Sequence, residues 1–265
     1  MNRKPFNIIS YLDNRRKIIP ICLKAQMHKL LYKSNKVMVN IGSGVWTQPY
    51  WKNLDFYTSW YGGGLWWKKT IDINYDLTSM KFLPFWDDSV DLFYSEYAFE
   101  HIPLSCTRHV FEELFRCLKP YGGFRVIVPD MDIIYQKFKE GDTSIFEHYL
   151  RQQNNSLVRA FLVYFSYPDF SFSEEEFMDD FKSLSKEKFL DKYTHNRDQQ
   201  HSVSGHHISW FNYSKMKHLL ESVGFDKVLK SECKGSVFRE MHGDGFDTRP
   251  GYPGLYVDCI KGDVK

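Results

Sequence analysis

The stretch Lys36–Trp46, KVMVNIGSGVW, limits the fold of this chain more than any other part of its sequence. An apolar run with few polar positions predicts a buried strand over residues 36–42. Gly42 and Gly44 follow at its end, and glycine lets a backbone turn sharply and come close to a ligand. We therefore expect a ligand to lie against this turn.

Three classes of ligand use a turn of this kind. A mononucleotide phosphate loop requires G-x-x-x-x-G-K-[ST], which the sequence lacks. A dinucleotide site requires a third glycine, where Thr47 stands, and an acid about 20 residues on, whereas Asp55 comes 13 residues after Gly42. An adenosine ligand without a pyrophosphate requires the glycine turn and an acid that ends the next strand. Gly42, Gly44 and Asp55 meet that requirement.

Strands and helices alternate along the rest of the chain, which predicts a parallel, doubly wound sheet. The last two strands follow the last helix and are expected to pair as a hairpin at one edge. Residues 131–204 are polar, aromatic and helical in pattern, so they are predicted to be a helical insertion or cap on a domain of residues 36–265. The predicted strands are 52–56, 90–96, 122–130, 227–234 and 255–262, and the predicted helices are 105–120 and 214–225.

Three later segments complete a recognisable pattern. They are YDLTSMKFLPFWDDSVDLFYSEYAFEHI (75–102), LFRCLKPYGGFRVIVPD (114–130) and WFNYSKMKHLLESVGFDKV (210–228). With the glycine turn, they resemble the class I S-adenosylmethionine-dependent methyltransferases, especially the subgroup of bacterial surface-polysaccharide and glycan biosynthesis. The resemblance covers about residues 36–130 and 205–262. It implies an α/β, Rossmann-like sheet of seven strands, mostly parallel with an antiparallel edge strand, and S-adenosyl-L-methionine as cofactor.

The resemblance also implies roles for the residues that match its motifs. Gly42, Ser43 and Gly44 would pass under the methionine part of the cofactor. Asn40 stands where the family usually has an acid, so the contact to the cofactor's amino group is expected to differ here.

Five residues further along would complete the cofactor site. Asp55 would hold the ribose hydroxyls, while Asp76 and Leu77 would border the adenine. Ser95 and Glu96 would border the methionine end and the reactive methyl group. Three carboxylates at the ends of strands favour an enzyme over a binding module that merely keeps the fold.

Methyl transfer to a hydroxyl requires the loss of a proton, and histidine accepts protons near neutral pH. His101 follows Glu100 after a predicted strand, and His206 and His207 precede the last helix, on the acceptor side of the resembled fold. Asp130 ends the strand RVIVPD, and ligands bind beyond the carboxyl ends of such strands. We predict these four as catalytic candidates, with a helix cap or a structural hydrogen bond as the alternative role of each histidine.

The sequence predicts no metal site. The segment HNRDQQHSVSGHH (195–207) is rich in histidine, but its spacing fits no zinc pattern. The five cysteines are scattered without a Cys-x-x-Cys pair, which also fits a reducing compartment.

Charge is unevenly distributed. Residues 1–36 carry nine Lys or Arg and one acid, whereas the remainder carries 26 basic and 32 acidic residues. A basic helical extension over residues 1–35 predicts either packing on the domain or peripheral contact with the inner membrane face. The sequence shows neither a signal peptide nor an apolar span, so a cytoplasmic protein is expected. The acidic body disfavours a nucleic acid as acceptor.

The predicted function is methylation of a hydroxyl on a sugar or glycan. The loop 57–67 supports this, because its Tyr and Trp rings could stack on a pyranose. The alternatives are a small-metabolite or lipid-linked acceptor, and a non-catalytic domain that binds a partner. Asn40 is the feature that favours the last of these.

Overall fold

The structure, a computed structural model, describes residues 35–56, 70–166, 172–194 and 206–263. The predicted basic extension and the aromatic loop therefore lie outside the described residues. The strands are β1 (Met38–Ile41), β2 (Trp51–Asp55), β3 (Ile73–Asn74), β4 (Val90–Glu96), β5 (Leu118–Pro129), β6 (Lys227–Ser231) and β7 (Gly254–Ile260).

These strands form one seven-stranded sheet in the order β3-β2-β1-β4-β5-β7-β6. The first five pair in parallel, whereas β7 runs antiparallel to both β5 and β6. The predicted mostly parallel, Rossmann-like sheet and its antiparallel hairpin at one edge are confirmed. Because the carboxyl ends of β1, β2, β4 and β5 share one edge, the residues that follow them are brought together there.

One face of the sheet is covered by α1 (Leu104–Cys117) and α7 (Tyr213–Ser222). The helix α1 presents Val110, Phe111 and Leu114 to the main core, as its helical period predicts. It ends three residues before the predicted boundary. The residue before a proline favours an extended backbone, and the chain enters β5 ahead of Pro120.

The opposite face packs against the segment between β6 and β7. This segment contains a short 3-10 helix (Arg239–Met241), and it places Met241 and Phe246 against Trp51 and Tyr94 of the sheet. Phe246 lies 5.0 Å from Tyr94 and 5.3 Å from Trp51 between ring centroids.

A buried charge network fastens the same segment to the sheet. Arg125 of β5 is fully buried and pairs with Asp247, which precedes β7, and with Asp258 within it. It also donates to the carbonyl of Glu232 at 2.8 Å. Nothing in the sequence pattern of the apolar strand β5 indicates this network.

Residues 131–166 and 172–194 are helical, as predicted for the insertion. Their helices are α2 (Met131–Glu140), α3 (Glu147–Gln152), α4 (Leu157–Leu162), α5 (Glu174–Ser183) and α6 (Lys186–Thr194). They share an apolar cluster of their own, in which Phe138 and Phe161 stack with centroids 4.1 Å apart. Trp210, just before α7, joins this cluster. The exact domain boundaries stay a prediction. Among the described helices, none is both long and apolar enough to cross a bilayer.

Candidate active site

The glycine turn closes directly on the end of β4. Gly42 and Gly44 have φ values of +64° and +58°, in the left-handed region that glycine tolerates best. A Cβ on Gly42 would lie 2.4 Å from the Cβ of Ala98, just after β4. The turn therefore needs glycine at position 42 for both its backbone angle and its close approach.

Asp55 ties this turn to the end of β2. Its carboxylate accepts hydrogen bonds from the backbone N–H of Gly44 at 2.6 Å and of Phe56 at 2.7 Å. Burial raises the pKa of Asp55, although the two N–H donors oppose that shift. The carboxylate thus lies at the sheet edge beside the turn, and its contact with the ribose stays a prediction.

Two hydroxyls of the predicted cofactor site are buried without a hydrogen-bond partner. They belong to Ser43 in the glycine turn and Ser95 near the end of β4. Buried polar atoms are nearly always paired, so unpaired ones are typical of sites completed by a bound ligand. These residues therefore fit a polar ligand such as S-adenosylmethionine at this edge.

Asp76 and Leu77 differ in their surroundings. One oxygen of Asp76 accepts from the backbone N–H and the hydroxyl of Thr78, both at 2.8 Å, which orients the carboxylate just after β3. Leu77 is buried in the main core. Their contacts with the adenine stay predictions. Asn40 is buried in β1 and pairs in register with Asn53 and Tyr94, and its contact with the cofactor also stays untested.

Glu96 fastens a distant loop to the end of β4. Its carboxylate accepts from the backbone N–H of Thr248 at 2.6 Å, from the Thr248 hydroxyl at 3.0 Å and from Tyr94 at 3.1 Å. Burial raises its pKa. Ser95 and Glu96 are consecutive in a strand and so face opposite sides of the sheet. Glu96 thus fixes loop geometry, and its contact with the cofactor stays a prediction.

Asp130 serves as the N-cap of α2. Its carboxylate accepts from the backbone N–H of Asp132 at 3.0 Å, and Lys230 lies 3.5 Å away. It is almost fully buried. The structure therefore gives Asp130 a capping role that the sequence did not predict, and its catalytic role stays a prediction.

Two of the three candidate histidines converge on Glu100. Glu100 and His101 lie in a 3-10 turn (Phe99–His101) after β4, and His207 lies before α7. The Nε2 atoms of His101 and His207 lie 4.0 and 3.9 Å from the same oxygen, Oε1 of Glu100. The two rings are 4.7 Å apart at an interplanar angle of 72°. His206 contributes its backbone carbonyl, 3.1 Å from Nδ1 of His101.

Burial dominates the electrostatics of this cluster. It raises the pKa of Glu100 to about 8 and lowers the pKa of His101 to about 4 and of His207 to about 3. The three groups are therefore mostly uncharged at neutral pH, and distances of 3.9–4.0 Å are too long for hydrogen bonds. Neither oxygen of Glu100 nor Nδ1 of His207 has a hydrogen-bond partner of normal geometry.

A cavity of about 360 Å³ lies between the helical insertion and the loop before β7. Sequence reasoning did not find it, because its walls come from separate segments and include Tyr164, Tyr252, His148 and Arg151. Tyr252 links the cavity to the strand ends, since its ring lies 5.0 Å from that of Tyr97. The guanidinium of Arg249 lies over the Tyr97 ring at 4.9 Å.

Comparison with known proteins gives one family match. Residues 65–126 match the sequence profile of a family described as a methyltransferase domain. This segment contains Asp76, Ser95, Glu96 and the Glu100–His101 pair. No protein of curated description matches the chain.

Several solved structures are similar at low sequence identity. A SAM-dependent methyltransferase from Methanosarcina mazei is 12% identical, with 87% of this chain and 94% of that chain covered and a TM-score of 0.45. One from Thermotoga maritima is 13% identical, with 96% and 95% covered and a TM-score of 0.41. Human N-acetylserotonin methyltransferase, solved in complex with SAM, is 14% identical, with 86% and 48% covered and a TM-score of 0.41.

Proposed function

We propose that this protein, a methyltransferase with S-adenosylmethionine as cofactor, methylates a hydroxyl group of a sugar or glycan. The observation that carries the proposal is the cluster of the buried Glu100 with the partly exposed His101 and His207 next to the end of β4. It places two imidazole rings, each with a nitrogen able to take up a proton, beside the end of β4, against which the glycine turn closes. A hydroxyl acceptor needs such a group, because its proton must leave when the oxygen is methylated.

The cofactor would be held by the residues that surround the glycine turn. Gly42 and Gly44 let the ligand approach the backbone, and Asp55 accepts from the ribose hydroxyls. Ser43 and Ser95 would use their unpaired hydroxyls as donors or acceptors. Once bound, the cofactor supplies a methyl group already activated as a sulfonium, so the protein's main task is to align the acceptor oxygen with it in line.

A histidine general base remains part of the proposal. Both rings are neutral near pH 7 because burial lowers their pKa values. Nδ1 of His101 faces the carbonyl of His206 and so carries a proton, which leaves Nε2 as the basic atom. On His207 the nitrogen that lacks the proton can accept one. A positioned base with a pKa near the working pH contributes roughly 10²- to 10⁴-fold in rate, and the lowered pKa values of these histidines make the contribution smaller here.

The acceptor would bind in the cavity lined by Tyr164, Tyr252 and Arg151. Tyrosine rings present apolar faces and hydroxyls together, as a sugar requires. The 5.0 Å contact between Tyr252 and Tyr97 connects this cavity to the residue that follows Glu96. This placement supports an acceptor that reaches the methyl group from the side of the helical insertion.

The test is a methylation assay with S-adenosylmethionine labelled in its methyl group. The panel contains nucleotide sugars, glycan oligomers, lipid-linked precursors and small phenols. We expect label in a sugar-containing acceptor. We also expect His207→Gln to lower the rate at least tenfold, whereas His218→Gln, at an exposed position on α7, leaves it unchanged.

Two results would overturn the proposal in different ways. Label transferred only to non-sugar acceptors would show that the acceptor class is wrong but that the protein is a methyltransferase. Failure of the folded protein to bind S-adenosylhomocysteine in a calorimetric titration would favour a non-catalytic binding module.

A further inference from the structure

We propose that Glu100, His101 and His207 form a binding site for one divalent transition-metal ion. Each residue offers one ligand atom, and these three atoms all lie within 4.8 Å of one another. The site is separate from the predicted cofactor contacts. Metal binding does not depend on the acceptor, whereas its catalytic use rests on the function proposed above.

The backbone holds the two contributing segments together. The carbonyl of Glu100 accepts from the N–H groups of Ile208 at 2.8 Å and Ser209 at 3.1 Å. The Ser209 hydroxyl donates to the carbonyl of Ile102 at 2.7 Å. His207 is therefore fixed beside the 3-10 turn by bonds that do not involve the three ligand side chains.

The hydrogen bond of His101 sets its tautomer. A carbonyl oxygen can only accept, so Nδ1 of His101 donates to the carbonyl of His206, 3.1 Å away. Nε2 then carries a lone pair and faces Glu100. Metal-bound histidines almost always have this arrangement, in which the second ring nitrogen donates to a carbonyl or carboxylate.

Within the described residues, no group in the space between the three side chains forms a hydrogen bond with the carboxylate of Glu100. Both oxygens of Glu100 are buried without a hydrogen bond, and Oε1 faces two ring nitrogens at 3.9 and 4.0 Å. Besides the carboxylate of Glu96, Arg249 is the charged group that acts on Glu100. However, its guanidinium lies over the ring of Tyr97 and does not hydrogen-bond the carboxylate. A cation among the three ligand atoms would satisfy the carboxylate and both rings at once.

The distances suit a small metal ion after modest adjustment. Bonds of about 2.0–2.2 Å place tetrahedral ligands roughly 3.3–3.6 Å apart. The gaps of 3.9 and 4.0 Å exceed this by about half an ångström, a change within reach of small side-chain rotations.

The ligand types narrow the choice of ion. Two imidazoles and one carboxylate suit Zn²⁺, Fe²⁺ or Mn²⁺ better than Mg²⁺ or Ca²⁺, which prefer oxygen ligands alone. Three protein ligands also leave coordination positions for a substrate oxygen.

A bound ion would change how the acceptor hydroxyl is activated. It would lower the pKa of a hydroxyl bound to it, and the proton would leave to solvent. The oxygen would then form its bond to the methyl carbon while the carbon–sulfur bond breaks, leaving a neutral thioether. His101 and His207 would act as ligands in this state and not as bases.

The experiment titrates chelator-treated full-length protein with Zn²⁺ and Co²⁺. Calorimetry should show one site, and bound Co²⁺ should give visible absorption bands of low symmetry. We expect Glu100→Gln and His207→Gln each to weaken binding at least tenfold. His218→Gln and the double variant His195→Gln/His201→Gln should bind normally, and circular dichroism verifies that each variant is folded.

The outcomes separate this proposal from the enzymatic one. Absence of Zn²⁺ and Co²⁺ binding, or binding lost only in the His195/His201 variant, would overturn the metal site. Methylation that persists unchanged after chelation would leave the O-methyltransferase intact with a histidine base. Binding lost in Glu100→Gln and His207→Gln alone would support the site even if no acceptor were methylated.

Discussion

The guanidinium of Arg125 binds the carboxylate of Asp247 through two parallel hydrogen bonds, Nε to Oδ1 at 3.0 Å and Nη2 to Oδ2 at 2.8 Å, with both side chains fully buried. The backbone N–H of Asp247 donates to the Tyr94 hydroxyl at 2.8 Å, and the next residue, Thr248, binds Glu96. The buried pair therefore fixes the loop that covers the end of β4.

Asp247→Ala should destabilise the protein by about 3–5 kcal/mol, because it leaves the buried Arg125 without one of its two carboxylates. Urea unfolding measures the loss. Glu112→Ala is the control, since it breaks an exposed pair with Arg108 and should cost less than about 1 kcal/mol. Equal losses for the two variants would show that burial of the network does not matter.

Gly42→Ala should destabilise the protein and weaken binding of S-adenosylhomocysteine. The new Cβ would meet Ala98 at 2.4 Å, and the backbone has a positive φ. Adding Ala98→Gly should restore part of the loss, because it removes the clash but not the backbone strain. Gly141→Ala is a control for backbone strain alone, since nothing lies within 4 Å of its added Cβ. It should lower the free energy of unfolding by about 1 kcal/mol. Identical behaviour of Gly42→Ala and Gly141→Ala would contradict the close approach.

Asp55→Asn should weaken binding of S-adenosylhomocysteine by roughly 10- to 100-fold, the range for loss of a hydrogen bond to a charged group. The amide keeps the shape of the side chain but loses its charge. Asp72→Asn is the matched control, because that carboxylate also accepts from a backbone N–H group, that of Asn53 in β2. Unchanged affinity in Asp55→Asn by calorimetry would place the ribose elsewhere.

Lys215→Met should stabilise the protein near pH 7. Burial lowers the pKa of Lys215 from 10.5 to about 8, and its ammonium group lies 3.8 Å from the ring centroid of Trp210. It also stands in the first turn of α7, where the helix dipole opposes a positive charge. Below its folded pKa, the lysine is charged in both states and the buried charge costs stability.

The same substitution should change the pH dependence. Between about pH 8 and 10.5 the unfolded chain binds more protons than the folded one, so stability should rise with pH in the native sequence. Lys215→Met should remove that rise, as urea unfolding at several pH values would show. Lys217→Met, at a more exposed position on the same helix, should retain the rise in stability between about pH 8 and 10.5. A rise that persists in Lys215→Met would assign the titration to another group.

The sheet was predictable because its strands are apolar and its glycine turn is distinctive. The strand β3 was missed, since two residues carry no period. Arg125 was missed because a charged residue in an apolar strand gives no sign of distant partners such as Asp247. Glu100 and His101 were visible in sequence, but their convergence with His207 was not. Spacing rules for metal ligands detect sites built within one segment, and this cluster joins two.

The placement of β7 has a consequence for how the chain folds. β6 precedes β7 in the chain but reaches the sheet through it, since β7 pairs with β5 on one side and β6 on the other. During synthesis, β6 can therefore join the sheet only after β7 has been made and has paired with β5. Asp258 arrives with β7 as well, so Arg125 gains its second carboxylate only at that step. A nascent chain halted before β7 would expose an open sheet edge and a half-neutralised arginine, features that chaperones and proteases recognise.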